Sequence, residues 1–171
     1  MSLVLLSGAR TRMKKILIVY DSKSGHTERM ASAVAEGAKK VRSVEAAVKK
    51  VNQTTLDDLQ SADGIIMGSP TYYGLMSAKL KSLIDKSVKI HGKLEGKVGA
   101  AFTSSGGTAS GAETTVLSIL EAMLVHGMIV QGRSSGKHYG AAAVGSPEGK
   151  ELENCRELGK RVATLVSKLK K

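Results

Sequence analysis

The chain has 171 residues with one Cys, and its 26 Lys and Arg outnumber its 15 Asp and Glu, giving a formal net charge of +11. A single Cys excludes an internal disulfide and a cysteine-based metal site, and it indicates a reducing, cytoplasmic setting. The basic residues are scattered and no run of ~18 apolar residues occurs, so we expect one domain with a solvated basic surface, no specific nucleic-acid ligand and no membrane-spanning helix.

The first twelve residues, Met1 to Arg12, are interpreted as an addition to the fold, either a tag or an upstream start. Their apolar run from Leu3 to Leu6 is far shorter than the ~7–15 residues of a signal-peptide core. Met13 is a plausible natural start. We therefore expect one domain over residues 13–171.

Strand and helix patterns alternate along that domain. Short apolar runs predict strands, and apolar residues at helical spacing predict the helices that follow them. Such alternation is typical of a parallel sheet covered on both faces, and right-handed crossovers give the strand order 2-1-3-4-5. The predicted fold class is an α/β/α three-layer sandwich with a five-stranded parallel sheet. The five strands are predicted at residues 16–20, 44–48, 64–69, 97–103 and 128–130, and a loop is predicted from Gly132 to Pro147.

The loops after the first, third and fourth strands are richer in Ser, Thr, Gly and Tyr than tight connections need. In this strand order they meet at the carboxyl edge of the sheet, at the switch point where a ligand belongs. The first loop brings hydroxyls, the free amides of a first helical turn and the helix dipole to one place, which predicts a phosphate cradle. It has no G-x-G-x-x-G and no Gly-Lys followed by Ser or Thr, which argues against a dinucleotide or ATP loop. Its residues are Ser22, Lys23, Ser24, Gly25, His26 and Thr27.

The other two loops suit a flat ring. The second contains a rigid Pro turn with two adjacent Tyr, although the whole chain has only four Tyr and one Phe, and aromatic side chains suit the face of a ring. The third is rich in Gly, which lets backbone amides approach an acceptor closely. The residues concerned are Pro70, Thr71, Tyr72, Tyr73 and Gly74 in the second loop, and Thr103, Ser104, Ser105, Gly106 and Gly107 in the third.

Together these loops resemble those of flavodoxin-like proteins that bind flavin mononucleotide (FMN), above all the NAD(P)H:quinone reductases of the WrbA type. The matching motifs are Ser-x-x-Gly-His in the first loop, Gly-x-Pro-Thr-x-aromatic-Gly in the second and Phe-x-Ser-Ser/Thr-Gly in the third. Three ordered motifs at strand ends are more specific than any one of them. His126-Gly127-Met128 and Tyr139-Gly140-Ala141 match two further family segments, so the resemblance covers about Lys14 to Lys168.

The resemblance implies a flavodoxin-like fold, noncovalently bound FMN and NAD(P)H as co-substrate. It implies that the first loop holds the phosphate, that the second and third loops and Tyr139 lie at the ring, and that His126 is catalytic where substrate meets flavin. A His in that role can donate to a quinone oxygen near neutral pH. Chemistry alone leaves another interpretation open, because a helix C-terminus favours a His there without any catalytic role.

Two functions remain open at this level. The first is an oxidoreductase that moves electrons from NAD(P)H through FMN to a quinone-like acceptor. A homo-oligomer, either a dimer or a tetramer, is consistent with this function. The alternative is a flavodoxin-type carrier that donates single electrons to a partner protein. The oxidoreductase is favoured by His126 and the His-Gly-Met match. The carrier is favoured by a compact chain that has no Trp, is shorter than the quinone reductases between the second and third strands, and lacks their aromatic wall over Lys86 to Gly96. A flavin-free module with a basic binding surface is a third class.

Two further motifs are given structural interpretations. Cys155 and Arg161 form a C-x5-R spacing, but Cys155 falls on the apolar face of the last predicted helix and is expected in the core. Three late His residues have no second ligand at metal spacing, so no metal site is predicted. They are His91, His126 and His138.

Overall fold

A computed structural model describes residues 12–169. Its strands form one sheet in the order β2-β1-β3-β4-β5, with β6 also paired to β4, and every pairing is parallel. The predicted order 2-1-3-4-5 is therefore confirmed. The strands are β1 (Lys14–Tyr20), β2 (Val44–Lys50), β3 (Gly64–Pro70), β4 (Val98–Ser105), β5 (Ile129–Val130) and β6 (Ala141–Val144).

Helices cover both faces of this sheet, as expected for a three-layer sandwich. The helices α1 and α5 share one buried apolar cluster with the sheet, whereas side chains from α2, α3 and α4 belong to the cluster on the other face. The helices are α1 (His26–Lys39), α2 (Leu56–Ser61), α3 (Ala78–Lys86), α4 (Ala112–Val125) and α5 (Gly149–Lys168), with short 3-10 turns at Val51–Gln53 and Ser87–Ile90.

The fifth position of the sheet is shared by two short strands, which corrects the loop predicted from Gly132 to Pro147. β5 pairs with the first two residues of β4, and β6 pairs with its last four. Residues 131–140, here called the excursion, leave the sheet between them and are largely exposed. β6 was not predicted from the sequence because its first three residues are Ala, which has no strand preference.

The core is built from strands buried on both faces. β3 and β4 are buried along their whole length, which explains why their sequences are near-continuous apolar runs. Between α1 and α5 the backbones almost touch, because a Cβ on Gly37 would overlap the carbonyl of Arg156 and one on Gly159 would overlap the carbonyl of Val34. This close approach packs the second half of α1 tightly against α5.

Cys155 is fully buried on α5, and burial raises the pKa of its thiol to about 12. The thiol therefore stays protonated and unreactive, which confirms the core interpretation. No helix among residues 12–169 is long and apolar enough to cross a membrane.

Candidate functional site

Hydrogen bonds between neighbouring loops bring the three predicted loops together. The Thr27 hydroxyl lies 2.8 Å from that of Ser104, joining the first loop to the third. The Thr71 amide donates to the Ser104 carbonyl at 2.8 Å, and the Thr71 hydroxyl lies 2.9 Å from that of Thr103, joining the second loop to the third. The carboxyl edge therefore forms one connected site.

The first loop has the geometry of an anion cradle. Gly25 precedes α1 with φ of 87°, a left-handed conformation that favours Gly, and its amide donates to the Ser22 hydroxyl at 3.1 Å. No atom lies within 4 Å of the position where a Cβ of Gly25 would be. The open space therefore faces the start of a 14-residue helix, where amides and the dipole favour a phosphate. This backbone fits the phosphate of FMN.

Two carboxylates lie beside the cradle, and both have partners. Asp21 is 3.7 Å from the Lys79 ammonium. Glu28 accepts a hydrogen bond of 2.5 Å from the Tyr20 hydroxyl and lies 3.7 Å from the Lys50 ammonium. Burial, together with the bond to Glu28, raises the pKa of Tyr20 to about 12, so this phenol remains a donor. These partners offset the repulsion that two bare carboxylates would exert on a phosphate.

The second loop holds its aromatic side chains in a strained turn. Tyr72 and Leu75 exchange two backbone hydrogen bonds of 3.0 Å, and the residues between them, Tyr73 and Gly74, both have positive φ of 51° and 76°. Tyr73 is fully exposed and Tyr72 is 42% exposed. A non-Gly residue in this conformation costs ~1–2 kcal/mol, and an exposed Tyr gains no packing in return. Strain of this kind is typical of binding sites.

The tip of this turn rests on the end of the third loop. Gly111 has φ of 93°, and a Cβ there would lie 2.5 Å from the Gly74 Cα. The Thr114 hydroxyl donates to the Gly74 carbonyl at 2.7 Å. Ahead of this contact, Gly106 and Gly107 have no atom within 4 Å of a possible Cβ, so their backbone is open to a ligand.

Several hydroxyls predicted to contact a cofactor also join parts of the protein. Thr27 and Thr103 are at most 1% exposed. The Ser105 hydroxyl, also buried, donates to the Gly107 carbonyl at 3.0 Å. These side chains position the loops, and their contact with a cofactor stays a prediction.

Tyr139 lies at the side of this site, on the excursion. It lines a cavity of about 190 Å³ together with the first turn of α4, which directly follows the third loop. The excursion is closed by two hydrogen bonds: the Arg133 amide donates to the His138 carbonyl at 3.1 Å, and Nδ1 of His138 donates to the Arg133 carbonyl at 2.9 Å. A groove of about 270 Å³ between β2 and α2 lies away from the loops, and ion pairs such as Lys49–Asp58 at 2.7 Å neutralise its rim.

Within one chain, His126 lies away from the three loops, so its predicted catalytic role stays a prediction. It follows the last residue of α4, and the carbonyl of its neighbour Gly127 accepts from the Gly96 amide at 3.0 Å. Gly96 comes just before β4, whereas the third loop leaves the other end of that strand. The eight residues of β4 span about 25 Å, so His126 cannot contact a group bound at the loops of its own chain.

His126 instead has a structural environment at the amino edge. The Ser87 hydroxyl donates to the Ile84 carbonyl at 2.6 Å, so Nε2 of His126, 2.7 Å from that hydroxyl, is the donor of their shared bond. Nδ1 is buried with no hydrogen-bond partner among the described residues. Burial and then the ring of His91, whose centroid is 5.8 Å away, lower the pKa of His126 and favour the neutral imidazole.

Two positioning residues were missed by sequence reasoning. The Ser69 hydroxyl accepts from the Ser77 amide at 2.8 Å and fixes the start of α3, and Thr114 holds the Gly74 carbonyl. Ser and Thr are common near helix starts, so neither position carries a distinct signal. Among the described residues, no three His, Cys, Asp or Glu side chains are grouped as metal ligands.

Comparison with known proteins agrees with this geometry. Residues 14–140 match the family described as NADPH-dependent FMN reductase. The chain is 40% identical to a flavodoxin of Aquifex aeolicus over 163 residues, covering 91% of this chain and 88% of the relative. It is 37% identical to an NAD(P)H dehydrogenase (quinone) of Archaeoglobus fulgidus over 191 residues, covering 92% and 100%.

The fold similarity is equally extensive. The crystal structure of a WrbA-like flavodoxin from Agrobacterium tumefaciens is 32% identical, covers 92% of this chain and 99% of its own, and superposes with a TM-score of 0.79. These similarities confirm the predicted flavodoxin-like fold and FMN with NAD(P)H as electron donor, and relatives of both predicted kinds, quinone dehydrogenase and flavodoxin, are present. The chain belongs to the NADPH-dependent FMN reductase family.

Proposed function

We propose that this protein moves electrons from NAD(P)H through FMN to a quinone-like small molecule in the cytoplasm. The observation that supports this best is the joining of three loops at one sheet edge, with an open cradle at Gly25 and an exposed aromatic at Tyr73. The quinone is suggested by relatives named NAD(P)H dehydrogenase (quinone) that are 33–37% identical. A reducing compartment suits a chain whose one Cys is buried.

The protein's own contribution is to bind and orient. When bound, FMN supplies the chemistry of taking up two electrons from NAD(P)H and passing them to an acceptor. The first loop, Ser22 to Thr27, holds the phosphate with amides and hydroxyls. Tyr72 and Tyr73 provide a ring face, and the open backbone at Gly106 and Gly107 donates to ring oxygens. Pro70, Thr71, Gly74 and the buried ends of β4 hold these groups in place.

The direct test is an FMN-binding and turnover experiment. The purified protein, mixed with FMN and dialysed, should keep absorbance bands near ~370 and ~450 nm, because the cradle and ring sites both hold the cofactor. Benzoquinone should then accelerate the oxidation of NADH or NADPH. Protein that stays colourless would contradict the FMN site. Bound FMN that neither nucleotide reduces would contradict the oxidoreductase and keep the site.

The carrier is the second candidate, and a specific observation favours it. The flavodoxin relative from Aquifex aeolicus aligns over 163 residues, close to the length of this chain, whereas the quinone dehydrogenase from Archaeoglobus fulgidus needs 191. An anaerobic potentiometric titration separates the candidates. Two resolved one-electron steps support the carrier, and one two-electron step supports the oxidoreductase.

The predicted oligomer and the predicted role of His126 can be tested together. Within one chain His126 lies at the other edge of the sheet, so a loss of quinone turnover in His126→Ala with FMN still bound requires a second copy of the chain. Sedimentation of the wild-type protein would then show the predicted dimer or tetramer. Unchanged turnover removes His126 from the mechanism.

A further inference from the structure

Three residues at the ends of β3 and β4 form a chain of hydrogen bonds that ends at the site. The Thr103 hydroxyl donates to the Ser69 carbonyl at 2.7 Å, and the Thr71 hydroxyl lies 2.9 Å from that of Thr103. Ser69 and Thr103 are both fully buried, whereas Thr71 is half-buried at the start of the second loop. The chain therefore runs from a buried carbonyl to the surface of the site.

The direction of these bonds follows from counting protons. A hydroxyl has one proton to donate and two lone pairs. The single proton of Thr103 is given to the Ser69 carbonyl, so the bond between the two Thr hydroxyls must be donated by Thr71. Thr71 has then used its only proton, and its oxygen can offer nothing but lone pairs to a ligand.

The orientation of Thr71 is also fixed. Its amide donates to the Ser104 carbonyl at 2.8 Å, so backbone and side chain are both held by β4. Both Thr side chains are β-branched, which restricts rotation about χ1. Thr103 has no exposed surface through which water could offer another partner.

We propose that Thr103 is a positioning residue that makes Thr71 an acceptor-only contact, so that the second loop selects an N–H group of the bound flavin ring. This inference rests on the proposed FMN site. The ring of FMN offers such a donor at N3 in both redox states and at N5 only when reduced. An acceptor at N5 favours the reduced ring, because oxidised N5 has a lone pair, whereas an acceptor at N3 favours both forms equally.

The test replaces Thr103 with Val, which keeps the shape and removes the hydroxyl. In Thr103→Val the Thr71 proton is free to turn toward the ligand. If the partner is N5–H, the ratio of affinities for reduced and oxidised FMN should fall about tenfold, which is ~30 mV of midpoint potential for a two-electron couple. If the partner is N3–H, the dissociation constants of both forms should rise together about threefold to tenfold, the range of one hydrogen bond.

Two control variants separate the hydroxyl from packing. Thr103→Ser keeps the donor and should behave as the wild type. Thr164→Val removes a hydroxyl that donates to the Lys160 carbonyl on α5, far from the site, and should change neither affinity. FMN methylated at N3 identifies the ring atom, because its binding should be insensitive to Thr103→Val only if N3–H is the partner.

The outcomes are distinct. Unchanged affinities for both redox forms in folded Thr103→Val overturn the inference and leave the FMN site intact. The same conclusion follows if Thr103→Ser weakens binding as much as Thr103→Val does. If Thr103→Val does not fold, Thr71→Val at the half-buried position should show the weaker FMN binding expected for Thr103→Val. Unchanged FMN binding in Thr71→Val overturns the inference. A wild-type protein that binds no FMN defeats the proposed function itself.

Discussion

The two edges of the sheet are built from different interactions. At the carboxyl edge, neutral hydroxyls join the loops, as between Thr27 and Ser104 at 2.8 Å. At the amino edge, charges are buried: Asp63 accepts bonds of 2.7 and 3.0 Å from Arg12, and Lys97 donates to the carbonyls of Gln60 and Ala62 at 2.8 and 2.5 Å.

The difference reflects what each edge must do. Hydroxyl contacts hold the loops in place without adding a net charge, and the two carboxylates beside the cradle, Asp21 and Glu28, are paired with Lys79 and Lys50. Buried charges with partners can specify one arrangement of the chain. His126 lies at the amino edge, although the resemblance of its His-Gly-Met motif implied a position at the carboxyl edge. Substitutions at the carboxyl edge should therefore alter FMN affinity, and those at the amino edge should alter stability alone.

The largest effect is expected for Gly111→Ala. Its φ of 93° costs Ala ~1–2 kcal/mol, and the new Cβ would lie 2.5 Å from the Gly74 Cα, which must move. We expect a loss of about 2 kcal/mol or more in the free energy of unfolding, measured by urea denaturation, and at least a tenfold weaker binding of FMN.

The matched control is Gly107→Ala in the same loop. No atom lies within 4 Å of its possible Cβ, so the free energy of unfolding should change by less than ~0.5 kcal/mol. If Gly107→Ala destabilises the protein as much as Gly111→Ala, the second and third loops are not held together at Gly111.

A smaller effect, at the amino edge, is expected for Arg12→Ala. Asp63 is 5% exposed, and removing Arg12 takes away two charged hydrogen bonds to it. The free energy of unfolding should therefore fall by about 1–2 kcal/mol. FMN affinity should not change. Lys81→Ala, which breaks a pair between exposed side chains, is the control and should cost ~0.5 kcal/mol or less. An Arg12→Ala protein as stable as the wild type would show that the two hydrogen bonds from Arg12 to Asp63 contribute little to stability.

Tyr73→Gly should raise the stability of the protein and lower its affinity for FMN. Glycine tolerates a φ of 51° and the exposed Tyr loses no packing, so the free energy of unfolding should rise by ~0.5–1 kcal/mol. FMN affinity should fall severalfold because a ring face is lost. Ala109→Gly, at φ of 53°, relieves similar strain without removing an aromatic and is the control. A destabilised Tyr73→Gly protein would show that Tyr73 packs on the protein.

The smallest effect is the contribution of His126 to the pH dependence of stability. Burial, with His91 nearby, lowers its pKa below 6.5, so in the window beneath 6.5 the unfolded chain binds the proton more readily than the folded one. The contribution is present above that window and is lost as the pH falls through the lowered pKa. Urea denaturation in this window should therefore show a weaker loss of stability in His126→Gln than in the wild type. An equal loss in both would mean that His126 titrates normally when folded.

Much of this protein could be predicted from its sequence because the signals were local. The runs at Ile16–Tyr20 and Gly64–Ser69 are long, apolar and followed by turn residues, so strand and loop positions followed directly. The order 2-1-3-4-5 followed from the handedness of crossovers. β6 could not be predicted, since Ala141 to Ala143 pair with β4 only because the excursion returns to the sheet.

The sequence by itself was enough to predict the family, the cofactor class and the three loops, because three ordered motifs at strand ends together resemble those of one family. Only the tertiary structure decided which edge each side chain faces. It moved His126 to the amino edge, because α4 runs antiparallel to β4 and ends where that strand begins. It also showed that the Thr27 and Thr103 hydroxyls bond to other parts of the protein, because hydrogen-bond partners depend on neighbours that are far apart in the chain. Their contact with a cofactor stays a prediction.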